Sequence, residues 1–112
     1  MPQTLFEKII ARTIPAKIVH EDDKYLVIQD ITPQAPVHLL IVTKKVIPSL
    51  NALEPADSAL VGGMFLLAKK LMAEQGHTDY RTVFNCGPTA GQTVPHLHLH
   101  LLAGRNFNWP PG

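Results

Sequence analysis

The 112-residue sequence predicts an α+β protein: a short helix, then four or five antiparallel strands interrupted by one long helix. Three observations carry this. Leu60, Met64, Leu67 and Leu71 recur at helical spacing within one segment, from about Glu54 to Gln75. Short β-rich runs bounded by Pro, Gly and Asp flank that segment. Near the C-terminus, Val94–Leu102 reads VPHLHLHLL, and a strand sorts such an alternation onto two opposite faces.

Each element has a local reason. Thr4-Leu5-Phe6-Glu7 has the form of a capping box, and Leu5, Phe6, Ile9 and Ile10 continue as a helical apolar face that Pro15 should stop. Lys17–Glu21 and Tyr25–Gln29 read as a hairpin around Asp22-Asp23-Lys24, followed by a Pro-punctuated loop over residues 30–36. Val37–Thr43 is almost continuously apolar, as a strand buried on both faces would be, except for His38. In the long helix Val61, Ala68 and Met72 widen the stripe, and Gly76 suits its C-terminal cap. Gly62-Gly63 costs its interior about 1–2 kcal/mol against alanines, which either a close contact or simple tolerance would account for. Tyr80–Asn85 and His96–Leu102 read as strands joined by the glycine-bearing loop 86–94.

The chain has the length of one domain, residues 1–112. So short a chain buries only about two-thirds of its unfolded surface, so burial between subunits would help it. Apolar residues make up 46% and charged residues 17%, which suits a packed core rather than a disordered tail. A net charge of +1 gives no basic footprint for nucleic acid. No secretory pattern opens the chain, and the longest apolar run, Ala59–Ala68, is about half of what a membrane span needs. A cytoplasmic protein that meets neither membrane nor nucleic acid is expected, and the single Cys86 suits a reducing compartment.

The histidine strand carries the chemistry. His96, His98 and His100 share one face, and Leu97, Leu99 and Leu101 the other. The leucines belong to a core, so the histidines should meet water, a ligand or a metal. His96 and His100 lie about 13 Å apart along a straight strand, too far to share one tetrahedral ion; two histidines with His38 or Cys86 remain a conceivable metal set. Histidine is uncommon enough that a plain solvated face is a poor account of three in alternation. A row of imidazoles around a phosphoryl group fits better: neutral imidazole is a nucleophile near neutral pH, and a protonated neighbour can donate a proton. The preceding GPTAGQT loop offers glycines for close backbone approach, with Gln92 and Thr93 as donors.

PHLHLHLL resembles the His-φ-His-φ-His-φ-φ signature (φ apolar) of the histidine-triad superfamily. IPAKIVHEDD, QDITPQAPVHLLIVTKK, GQTVPHLHLHLLAGR and WPPG together look like its Hint branch, the histidine triad nucleotide-binding proteins, over nearly the whole chain. The resemblance implies a five-stranded HIT-like fold whose homodimer forms a ten-stranded sheet, and metal-free, cofactor-free hydrolysis of purine nucleoside 5′-phosphoramidates such as AMP-lysine. It implies His98 as nucleophile, His100 at the α-phosphate and the bridging atom, and His96 and His38 as orienting groups. Asp30 and Ile31 would meet the ribose, Asn85, Gly91, Gln92 and Thr93 the phosphate, and Phe6, Ile9, Ile14, Ile28 and Leu40 the base. The tail, residues 105–112, would lie at the dimer interface and send Trp109 toward the partner's site. His20 and His77 match no family site and read as solvated surface. Dinucleoside polyphosphate hydrolysis, nucleotidyl transfer, or nucleotide binding with vestigial catalysis are the competing functions.

Pro95 and Ala103 depart from that pattern, where an aromatic residue and a glycine are usual. Pro95 puts the local strand pairing in doubt, because it has no amide hydrogen to donate.

Overall fold

Thr4 starts the first element as its spacing to Glu7 demands. Its hydroxyl accepts the Glu7 amide (3.1 Å) while the Glu7 carboxylate accepts the Thr4 amide (3.0 Å), so two donors that a helix start leaves unpaired are satisfied. The computed structural model describes residues 2–112; residue 1, where the expected domain begins, lies outside them. Helix α1 (Leu5–Ile10) is shorter than the sequence suggests. Arg12, at φ 64°, ends it before Pro15 does, and its guanidinium donates to the Ile9 and Ile10 carbonyls.

Strands β1 (Ile18–Glu21) and β2 (Tyr25–Gln29) form the expected hairpin, with Asp22 Oδ1 accepting the Lys24 and Tyr25 amides, each at 2.8 Å. Strand β3 (Val37–Thr43) is buried at every position but its first. Helix α2 (Ser58–Glu74) begins four residues later than expected, because Pro55–Asp57 forms a separate 3₁₀ turn. Gly76, at φ 79°, follows it in the left-handed conformation that glycine adopts without strain. Strand β4 (Tyr80–Val83) ends opposite His100, so Phe84 and Asn85 leave the sheet. Strand β5 (His98–Ala103) starts two residues later than expected, after a bend at residues 94–96 around Pro95.

The five strands form one antiparallel sheet in the order β1-β2-β3-β5-β4. On one face, Leu97, Leu99 and Leu101 pack with Leu39, Ile41, Met64, Leu67 and Met72, so α2 covers the sheet. On the other, Phe6 and Ile9 of α1 meet Leu26, Ile28, Leu40 and Val42 in a smaller cluster. Each fully buried leucine stabilises the fold by about 1.5–3 kcal/mol, so the three leucines leading into and along β5 fix its register. Slipping one residue would carry all of them to the wrong face.

The glycine pair in α2 resolves into two different cases. A Cβ on Gly63 would lie 2.2 Å from the Tyr25 hydroxyl, which donates to the Leu60 carbonyl, whereas one on Gly62 would meet nothing within 4 Å. Gly63→Ala is expected to lower the melting temperature by displacing Tyr25. Gly62→Ala is expected to raise stability by up to about 1 kcal/mol through helix propensity. Equal effects in thermal denaturation would contradict the contact.

Candidate active site

Pairing of β3 with β5 sets the site. Val42 lies opposite His98, Leu40 opposite His100 and His38 opposite Leu102, so His38, His98 and His100 share the face under α1. His96 sits at the bend before β5, with no exposed surface. The face is shielded from water: His38 and His98 are only 7% and 8% exposed. The Phe6 ring meets the rings of His96 and His98 edge-on, at 5.7 and 4.9 Å between centroids.

Buried imidazoles need partners, and the partners fix each tautomer. His98 Nδ1 lies 2.7 Å from the His96 carbonyl, which can only accept, so Nδ1 carries the hydrogen and Nε2 a lone pair. That Nε2 makes no hydrogen bond among the described residues. His38 Nδ1 accepts the Gln34 amide at 3.0 Å, so Nε2 carries the His38 hydrogen and donates it to His100 Nδ1 at 2.9 Å. His100 therefore carries its hydrogen on Nε2. The result is a bare nitrogen on His98 beside an N–H on His100, with the two rings 5.1 Å apart.

His96 takes no part in this relay through its ring. Its Nε2 donates to the Thr43 carbonyl (2.6 Å), and its Nδ1 accepts the Thr4 hydroxyl (2.7 Å). The ring thereby joins the α1 cap to the end of β3, and His96 holds His98 through its backbone carbonyl.

Asp30 opens the loop before β3. Its Oδ1 accepts the Thr32 amide (2.8 Å), the turn role its Pro-rich context suggests, and its Oδ2 lies 3.4 Å from His38 Nε2. Ligand atoms of Asp30, His38 and His100 all lie within 4.8 Å of one another, a spacing that a metal could use. The hydrogen-bond pattern opposes it: with the Gln34 amide on His38 Nδ1, the Nε2 that would face the ion already bears a hydrogen.

Burial is the largest cause depressing the imidazole pKa values, because it penalises the charged form. It lowers His38, His96 and His98, and it carries His100 down to about 4 with further repulsion from His98 and His38. The Asp30 carboxylate opposes the shift at His38, His98 and His100.

His98 and His100 line a cavity of about 300 Å³ between α1 and the sheet. Its walls hold Phe6, Ile9, Ile14, Ile28 and Leu40 at the apolar end, Asp30 and Ile31 at the side, and Asn85, Gly91 and Thr93. Ile31 is almost fully exposed. Three expected site residues lie outside these walls: His38 and His96 stand behind them, and the Gln92 side chain braces its own loop. Gln92 Nε2 donates to the Pro48 and Val94 carbonyls, and its Oε1 accepts the Gly87 amide. Trp109, 84% exposed, lies beside β4 with Arg81 and Asn85 in a separate surface hollow. Cys86 is half-buried and lines neither, and His20 pairs with Asp22 (2.8 Å) on β1. Thr4, Gln34 and the Thr43 carbonyl were not singled out as site residues; only Thr4 left a trace in the sequence, as a helix cap.

Comparison with known proteins gives a consistent result. The family described as "Scavenger mRNA decapping enzyme C-term binding" matches residues 3–107. An uncharacterised HIT-like protein of Synechocystis sp. is 54% identical over 97% of this chain and 96% of its own. Among solved structures, a HIT family hydrolase from Legionella pneumophila is 47% identical with a TM-score of 0.95, covering 98% of this chain and 100% of that one. A histidine triad protein from Clostridium difficile is 37% identical with a TM-score of 0.90, covering 96% and 97%.

Two outcomes follow from the buried imidazoles. All four have folded pKa values below their unfolded value of about 6.5, so the unfolded chain takes up protons that the folded chain refuses. Stability should be full above about pH 6.5 and fall as pH drops toward about 4; urea midpoints that stay level over that window would contradict this. Thr4→Val should cost about 1–3 kcal/mol in chemical denaturation, by orphaning His96 Nδ1 and removing the helix cap.

Proposed function

The chain belongs to the histidine-triad superfamily, and from that premise we propose that it hydrolyses purine nucleoside 5′-phosphoramidates through a nucleotidyl-histidine intermediate. The observation that carries this reading is the bare Nε2 of His98, held by its Nδ1–H on the His96 carbonyl and set beside the Nε2–H of His100 in one cavity. That pairing supplies a nucleophile and a proton donor on neighbouring rings. The similar Legionella protein, named a hydrolase, supports the general class of reaction.

In this reading the purine lies against Phe6, Ile9, Ile14, Ile28 and Leu40, whose apolar surface suits a flat ring. The ribose meets Asp30 and Ile31, and the phosphate faces Asn85, Gly91 and Thr93, with Gln92 holding the loop. A phosphate anion beside His100 raises its pKa from about 4, so binding is accompanied by proton uptake. When His100 Nδ1 gains that hydrogen, the His38 Nε2–H turns to the Asp30 carboxylate nearby.

The His98 Nε2 lone pair then forms a bond to phosphorus as the P–N bond breaks. The electron pair stays on the leaving nitrogen, which takes the Nε2 proton of His100. Water attacks next, the bond from phosphorus to His98 breaks with its pair returning to Nε2, and the bare His100 Nε2 takes the proton from water. Donors around the phosphate stabilise charge on its equatorial oxygens, and no step needs a metal.

The same proposal includes a homodimer. Strand β4 is an open edge; its Tyr80 is 37% exposed, and Phe65 and Leu66 of α2 are 44% and 70% exposed. A second copy pairing there would satisfy the edge and cover these side chains. It would also bring Trp109 toward the partner's cavity.

AMP release from AMP-lysine should proceed unchanged in EDTA. His98→Ala should reduce it by roughly a thousandfold or more while AMP still binds. Wild-type turnover in that variant would overturn the mechanism. A wild-type protein that binds AMP tightly yet turns over no faster than background would point to nucleotide binding alone. Leu66→Glu is expected to halve the mass measured by light scattering, and a monomeric wild type would contradict the dimer.

A further inference from the structure

The His38 tautomer is set by a backbone amide in the loop before β3, and the chain after β5 holds that loop. Arg105 Nε donates to the Gln34 carbonyl at 2.8 Å, across 71 residues. Gly104, at φ 97°, brings the two segments together: a Cβ there would lie 2.9 Å from the Pro36 Cβ. The guanidinium stacks on Phe107 at 4.2 Å, and Arg81 stands over the same ring at 5.1 Å. Within the loop, Gln34 Nε2 donates to the Thr32 carbonyl and Asp30 Oδ1 accepts the Thr32 amide. The peptide on the other side of the Gln34 Cα delivers its N–H to His38 Nδ1.

We propose that Arg105 is a positioning residue for the reaction: by clamping Gln34, it keeps His38 Nδ1 occupied and so directs the catalytic proton to His100. The logic is one of competition. His38 and His100 face each other through one hydrogen bond, and either ring could hold an added proton. His38 can hold one only if its Nδ1 is free, and the Gln34 amide fills that position. Asp30 and His100 are the other titratable groups facing His38. Releasing the clamp lets the Gln34 peptide swing, His38 become the protonated or Nδ1–H ring, and His100 lose the hydrogen it presents to the cavity. The catalytic role of His100 rests on the function proposed above; the tautomer effect does not.

Nitrogen-15 shifts of the imidazole rings in the full-length protein read the tautomers without any substrate. In the wild type, His38 and His100 should both appear as neutral Nε2–H rings at pH 7. In Arg105→Met, the His38 nitrogens should move toward the Nδ1–H or doubly protonated pattern. Arg105→Lys, which keeps a donor for the Gln34 carbonyl, should move them back. Unchanged His38 shifts in a folded Arg105→Met protein would overturn the proposal.

Kinetics add a second readout. For AMP-lysine, kcat of Arg105→Met should fall by about 3- to 10-fold, the usual weight of one hydrogen bond, with KM little changed. For AMP p-nitrophenyl ester, whose phenolate leaves without a proton, the fall should be clearly smaller. Equal losses on both substrates would overturn the proton-directing role. A wild type inactive on both would refute the phosphoramidase function alone, with the nitrogen shifts still deciding the clamp.

Discussion

Everything at the site depends on the register of one strand. Leu97, Leu99 and Leu101 are almost wholly buried against α2, and their burial outweighs any single polar interaction on the opposite face. With the leucines fixed, His98 and His100 are delivered to the α1 side, opposite Val42 and Leu40 of β3. The hydrophobic core thus aims the imidazoles, and the hydrogen bonds then decide where each hydrogen sits.

Those hydrogen bonds form a directional chain from backbone to cavity. A carbonyl at His96 strips His98 Nε2 of its hydrogen, and an amide at Gln34 places one on His100 Nε2 through His38. Both fixed groups are backbone, and the Arg105 side chain holds the carbonyl of the residue, Gln34, that supplies one of them. Burial favours the neutral form of all four rings, which preserves a lone pair on His98 Nε2, the proposed nucleophile. Asp30 is the one carboxylate that opposes this at His38, His98 and His100, so it favours the charge that an anionic ligand would call for.

Much of this was legible in the sequence. The alternation in VPHLHLHLL gave the two faces, the apolar run Val37–Thr43 gave a central strand, and the stripe from Leu60 to Leu71 gave α2. The strand starts at His98 rather than His96 because the chain bends around Pro95, and that bend leaves His96 working through its carbonyl. The hidden parts are tertiary and mostly backbone: Thr4 meets His96 across 92 residues, and Arg105 meets Gln34 across 71. No periodicity encodes such contacts. Gln92 is similar, since a loop glutamine reads equally well as a ligand donor or as the brace it forms here.

The central claim is that His98 Nε2 becomes covalently nucleotidylated. Rapid quenching of the protein with AMP-lysine, followed by mass-spectrometric mapping, tests it most directly. The account predicts a transient adenylyl group on His98, attached at Nε2, that forms and decays at rates compatible with turnover. AMP released with no adduct on His98, or with the group found on His100 instead, would contradict it.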